Sequence, residues 1–132
     1  TLDKIKIQII QESDENGRTL IIEYDNIPIG EMNYRNIQDY KVEIGIKICN
    51  PNYHEKGLGR IILSLFIKEL FSMGFKVIIL DTNVNNKRAQ HIYELLGFKK
   101  IRVNTNSWKD QLGNLQSSID YELIEDNFND YS

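Results

Sequence analysis

In the first half of this chain apolar and polar residues tend to alternate, and from Gly57 onward the apolar residues keep helical spacing. That change confines the chain to folds in which a β-rich half feeds a buried helix. Residues 3–10, DKIKIQII, alternate as a half-buried strand, ESDENGR supplies a turn, and TLIIEYD returns as a second strand. PIGEMNYR and YKVEIGIKIC read as two more strands, with Ile44, Ile46 and Ile48 on one face and Glu43, Gly45 and Lys47 on the other. From Gly57, the residues Leu58, Ile61, Ile62, Leu65 and Phe66 keep helical spacing, and Arg60, Ser64, Lys68 and Ser72 form a polar stripe at every fourth position. FKVIILDT is a continuous apolar strand, and NNKRAQHIYELLGF is a helix with an asparagine to cap its start and Gly97 just past its end. KKIRVN and SSIDYELI close the sheet as strands, and EDNFNDYS is read as a frayed acidic tail. Strand, helix, strand, helix, strand predicts an α/β chain with a locally parallel sheet covered by helices.

With 132 residues, 41% of them hydrophobic and 27% charged, the chain supports one core, expected over residues 1–125 with a flexible tail at 126–132. The longest apolar run is broken by Ser64, Lys68 and Glu69, and TLDKIKIQII lacks the layout of a secretory signal, so a soluble, cytoplasmic protein without a membrane partner is expected. The single cysteine, Cys49, cannot form an internal disulfide or a thiolate metal site; no metal is expected. A net charge of −3 and a pI near 5.4 supply no basic field for nucleic acid.

Gly57 and Gly59 stand where a polar turn becomes the long helix, although glycine costs about 1 kcal/mol against alanine inside a helix. A helix start offers up to four unpaired N–H groups and the positive end of the dipole, so bare backbone there lets a pyrophosphate approach. Two familiar phosphate loops do not match. No Lys-Ser or Lys-Thr pair follows, and the third residue after Gly59 is Ile62, where the dinucleotide fingerprint wants Gly or Ala. A tight turn with no ligand explains the glycines equally well.

In context, CNPNYHEKGLGRIILSLFIKEL after a strand, followed by a buried strand and then NNKRAQHIYELLGF, resembles the GCN5-related N-acetyltransferase (GNAT) superfamily over residues 40–104. The resemblance implies a single domain with a mixed central sheet, antiparallel N-terminal strands and two main helices packed on it. It also implies acetyl-CoA as co-substrate, with the pyrophosphate held by the backbone amides of Glu55, Lys56, Gly57, Leu58, Gly59 and Arg60. His54 stands where the family prefers Gln or Arg. The main chain of Lys47, Ile48 and Cys49 would pair with the pantetheine arm at a splay between parallel strands. Asn86 matches a cofactor-contacting asparagine and equally suits a helix cap. Lys56, Arg60, Lys87 and Arg88 fall near the expected phosphates, where a solvated surface charge is the alternative role.

Amine acetylation by direct transfer, in a ternary complex, needs a base for the amine, stabilisation of the carbonyl oxygen and a proton for the departing thiolate. Tyr93, on the apolar face with Ala89, Ile92 and Leu96, matches the family's tyrosine acid, and a phenol stays protonated at neutral pH. Glu43 matches the glutamate of histone-acetylating members, fourteen residues before Gly57. Asp81 matches the acidic position of ribosomal-protein N-terminal acetyltransferases, and Glu43 is placed ahead of it. Cross-strand pairing with a lysine and a strand-end turn are their structural alternatives. His54 and His91 look solvent-facing and are not chosen.

The family's usual helices between the first two strands are missing, since QESDENGR leaves room only for a turn. The acceptor side is therefore open, or is completed by NTNSWKDQLGNLQSS with its sole tryptophan Trp108, or by a second copy of the chain. The expected acceptor is a small-molecule or protein amine whose identity lies in the segments least like the family. The alternative function is a module that binds acyl-CoA without turnover.

Overall fold

A computed structural model of the chain describes residues 4–12, 17–48 and 57–132. Its elements are β1 (Ile5–Glu12), β2 (Gly17–Tyr24), β3 (Ile27–Gln38), β4 (Lys41–Ile48), α1 (Leu58–Ser72), β5 (Val77–Asn83), α2 (Lys87–Leu96), β6 (Lys99–Lys109) and β7 (Leu115–Ile124), then a 3-10 turn, Glu125–Asn127. Two-residue turns fold β2, β3 and β4 into a meander. Asp25 and Asn26 form the first and Asp39 and Tyr40 the second, all four with positive φ, the handedness that matches strand twist. The left-handed Tyr40 is held in place because its carbonyl accepts from the N–H groups of Lys76 (2.8 Å) and Val77 (3.3 Å), at the start of β5.

The seven strands form one mixed sheet in the order β1-β2-β3-β4-β5-β7-β6. The predicted parallel pairing occurs only between β4 and β5, and there only at Lys41 with Val77, Val42 with Ile78 and Glu43 with Ile79. Beyond those pairs β4 runs on to Ile48 and β5 to Asn83, so the strands part. The neighbour of β5 on its other side is β7, antiparallel to it, because β6 and β7 form a hairpin. NTNSWKDQLGNLQSS is that hairpin, closed by Asp110, whose carboxylate accepts from the N–H groups of Leu112 and Asn114 (both 2.9 Å). Trp108 pairs with Gln116 on the edge strand and is 46% exposed.

Both helices cover one face of the sheet. Val42 and Ile78 are in register, as are Tyr34 with Ile44 and Leu80 with Tyr121. Phe66 of α1 touches Tyr34 (ring centroids 6.0 Å) and Tyr93 of α2 touches Tyr121 (5.7 Å). The core between helices and sheet is built on the fully buried Ile22, Met32, Val42, Ile62, Ile67, Ile78, Leu96 and Tyr121. Strand alternation then puts Glu31, Arg35, Glu43, Lys47, Asp81, Asp120 and Glu122 on the opposite face, where no described helix lies.

The acidic tail is the main departure from the sequence reading. Residues 126–132 run across both helices, and Phe128 packs on Phe71 (centroids 6.1 Å). Asn129 donates through its backbone N–H to the Leu96 carbonyl (2.9 Å) and through Nδ2 to that of Leu95 (3.1 Å). Asp130 pairs with Lys68 (3.1 Å), and the Tyr131 N–H donates to Ser64 Oγ (2.9 Å). The polar stripe of α1 is thus the bed of this segment, so the eight residues that look frayed by composition gain partners for their backbone. Gly97 makes the junction possible: its φ is +105°, and a Cβ there would lie 1.9 Å from the Asn127 carbonyl oxygen. Among the described residues no helix is long and apolar enough to cross a membrane.

Candidate active site

A cavity of about 530 Å³ opens between the end of β4, α1 and α2, within the size range of small-molecule sites. β4 contributes Ile46 and Lys47, α1 contributes Gly59 and Leu63, and the start and inner face of α2 contribute Asn85 to Ala89, Ile92 and Tyr93. Of the residues expected to hold coenzyme, Lys47, Gly59 and Asn86 therefore line one space, together with Tyr93. Ile48 ends β4 opposite Gly30 of β3. Cys49, His54, Glu55 and Lys56 lie outside the described residues.

Gly57 immediately precedes α1 with φ +70°, and no side chain caps the helix there. Leu58 is buried in the core, and Arg60 lies with its guanidinium carbon 5.4 Å from the centre of the Tyr131 ring. A Cβ on Gly59 would meet only Ile92 Cδ1, at 3.5 Å, and one on Gly57 only the Arg60 guanidinium, also from 3.5 Å. Neither contact is a clash. At Gly57 the positive φ itself calls for glycine; at Gly59 packing against the protein does not.

Asn86 plays its cap role, its Oδ1 accepting from the Ala89 N–H (3.2 Å), while it also lines the cavity. Its loop is fixed from beneath by Gln90, a buried polar residue whose Nε2 donates to the Val84 carbonyl (2.8 Å). The sequence signal for Gln90 was available, a polar residue on the inner face of an amphipathic helix, but it went unread.

Tyr93 is 7% exposed, stacked edge-on against Phe98 (5.8 Å) and Tyr121 (5.7 Å). Burial, then the Asp81 carboxylate, then Tyr121 push its pKa up to about 12. Across the splay, Glu43 is tied to Arg35 (2.9 Å), with both side chains substantially exposed. Asp81 is in direct register with Asp120. Partial burial raises the Asp81 pKa above 3.8, and the Asp120 and Glu43 carboxylates add to the rise. The neighbouring carboxylates of this face are paired by register or contact with bases: Glu31 with Lys47, Glu43 with Arg35, Glu122 with Lys99, Asp120 with Arg102. Asp81 and Asp120 face each other, and among the described residues Asp81 is the one of the set with no base paired to it. Sequence reasoning missed Asp120, which only the β5–β7 pairing brings to the site. His91 is exposed, and Trp108 is not among the residues lining the cavity. Among the described residues no group of three or more His, Cys, Asp or Glu side chains could hold a metal ion.

The model of the acetyltransferase (GNAT) family matches residues 2–98. This chain belongs to the GNAT family. Its splayed β4–β5 pair, α1 and the Tyr93 helix are thus parts of a GNAT domain. The chain is similar to the ribosomal protein bS18-alanine N-acetyltransferase of Escherichia coli (strain K12), 35% identical over 57 residues, which cover 43% of this chain and 38% of that protein. It is also similar to the Salmonella typhimurium (strain LT2) enzyme of the same name, 31% identical over 70 residues, covering 53% and 47%. The chain thus spans less than half the length of these curated relatives. Among solved structures, a chimera of the Vibrio cholerae spermidine N-acetyltransferase SpeG with hSSAT superposes with a TM-score of 0.82 at 18% identity, covering 93% of this chain and 96% of that one. The putative acetyltransferase yncA from Salmonella typhimurium, solved with acetyl-CoA, gives 0.72 at 21% identity, covering 82% and 64%. These likenesses extend the GNAT fold over nearly the whole chain.

Proposed function

We propose that the protein is an N-acetyltransferase that moves an acetyl group from acetyl-CoA directly to a primary amine in a ternary complex. The observation that carries this reading is the cavity between the end of β4, α1 and α2, which brings Gly59, Asn86 and Tyr93 to one space. Acetyl-CoA supplies an activated thioester when bound. The unpaired amides at the start of α1 hold its pyrophosphate, and the main chain of β4 beyond Glu43, which has no β5 partner, is free to bond extended amides.

The amine approaches from the polar face and the thioester from the helix face, so the two meet in the gap between strands. Asp81 takes the proton from the amine, directly or through water. A base with a raised pKa is better matched to that task than an ordinary aspartate. Tyr93 keeps its proton until the sulfur departs. As Asp81 becomes protonated its negative charge disappears, and with it the second-largest cause holding the phenol's pKa high. The base thereby strengthens the acid at the moment it is needed.

Both a protein N-terminus and a small amine fit the open polar face, and the relatives named above act on one or the other. The test is free-thiol release from acetyl-CoA against a panel of alanine-terminated peptides and polyamines. Release above the amine-free rate is expected for one class. CoA binding without thiol release for any amine would instead identify a binding module.

A further inference from the structure

We propose that Tyr131 is a positioning residue for the coenzyme's phosphates: its ring fixes the Arg60 guanidinium beside Gly57, at the open end of α1. The proposal rests on the acetyl-CoA reading of that helix end.

Arg60 lies in the first turn of α1, which contains no acidic residue. A cation there opposes the positive end of the helix dipole, so the position costs stability unless an anion is bound nearby. Among the described residues Arg60 makes no ion pair, and its guanidinium carbon lies 5.4 Å from the centre of the Tyr131 ring. Its Nη2 and Nε sit 3.5 and 3.7 Å from where a Cβ on Gly57 would be. The guanidinium therefore lies beside the start of the helix. Stacking on an aromatic ring uses the flat face of a guanidinium and leaves its in-plane N–H groups to donate to phosphate oxygens. An arginine left free would spend rotamer entropy on each binding event, and the ring removes part of that cost in advance.

Tyr131 is itself held firmly enough for this role. Its N–H donates to Ser64 Oγ (2.9 Å), and Ser64 is completely buried one turn along α1 from Arg60. Asp130 binds Lys68 (3.1 Å) one turn further. The buried serine in the polar stripe of α1 is partnered by this bond to the tail. Asn129 fastens the same segment to the last carbonyls of α2, so the strap also links the two helices that wall the cavity.

The experiment is calorimetric titration of CoA into the wild type, Tyr131→Phe, Tyr131→Ala, Tyr131→Leu, Arg60→Ala and the Arg60→Ala/Tyr131→Ala double variant. Tyr131→Ala and Tyr131→Leu are expected to raise the Kd roughly three- to fivefold, while Tyr131→Phe, which keeps the ring, stays within about twofold. The double variant is expected to bind no worse than Arg60→Ala. Pantetheine, which carries no phosphate, should bind the wild type and Tyr131→Ala equally, followed by NMR shifts. Unchanged CoA affinity in Tyr131→Ala, or equal losses for CoA and pantetheine, would overturn the proposal while leaving the coenzyme reading intact. A wild type that does not bind CoA at all overturns both.

Discussion

Asp81 and Asp120 stand directly opposite each other on antiparallel β5 and β7, and among the described residues only Asp120 of the two has a counter-ion, Arg102, at 2.9 Å. Two like charges in register raise the cost of ionising either one. The charged groups around Asp81 are Asp120 from β7, Arg102 from β6, and the Glu43–Arg35 pair from β4 and β3. Since a base must be deprotonated to work, the acidic limb of kcat/KM should fall above the ordinary aspartate value of 3.8. Arg102→Gln exposes Asp81 to the full Asp120 charge and should move that limb to higher pH, and Asp120→Asn should move it lower. Limbs that move together, or not at all, would remove Asp81 from the role of base.

On sequence alone Glu43 comes before Asp81 as the base; the proposed mechanism reverses that order. Glu43 is ion-paired with Arg35 at 2.9 Å, whereas Asp81 stands directly opposite the acid Asp120. Asp81→Asn is expected to lower kcat by about 10²-fold or more, and Glu43→Gln by less than about tenfold. The stability sign is also set. The folded-state pKa of Asp81 is raised, so its favourable contribution is present at low pH and is lost as pH rises through that value. At pH 7 Asp81→Asn should therefore melt at the same or a higher temperature. An inactive Glu43→Gln with an active Asp81→Asn would restore the original order.

Gly59 separates a ligand effect from a folding effect. An alanine Cβ there makes only ordinary contact with Ile92, and alanine is favoured over glycine in a helix by about 1 kcal/mol. Gly59→Ala should therefore keep or raise the melting temperature. Gly59→Leu, which projects into the cavity, should weaken CoA at least about tenfold in calorimetry while remaining folded. Intact CoA affinity in a folded Gly59→Leu would exclude a coenzyme from that space. Gly57 cannot serve as cleanly, because its positive φ strains any replacement.

Much of this was legible because it is local. Alternation marked β1 to β4, the Asn86 and Gly97 caps bounded α2, and the paired glycines marked the start of α1. What escaped depends on long-range register. Asp120 is 39 positions from Asp81, and nothing in either strand says that β7 rather than β6 inserts beside β5. The stripe Arg60, Ser64 and Lys68 was visible as polar. Its partner was not, because the tail's acidic composition resembles disorder and its order comes from a helix more than sixty residues away.

Tyr93 provides the sharpest test of the chemistry. Its ring packs between Phe98 and Tyr121, and among the described residues its hydroxyl makes no hydrogen bond. No described side-chain oxygen is buried without a partner, so the Tyr93 hydroxyl reaches solvent through the cavity it lines, and its removal leaves no buried group unpaired. Tyr93→Phe therefore keeps the packing and forfeits only the proton. It should lower kcat by roughly 10²-fold or more, leave the Kd for CoA within about twofold, and hold or raise the melting temperature. With a pKa of about 12, the phenol should impose no alkaline limb on the wild-type rate between pH 7 and 10. The measurements are kcat across that range beside a thermal melt, using the best amine from the panel. A Tyr93→Phe protein with undiminished kcat would leave the departing thiolate to be protonated by water.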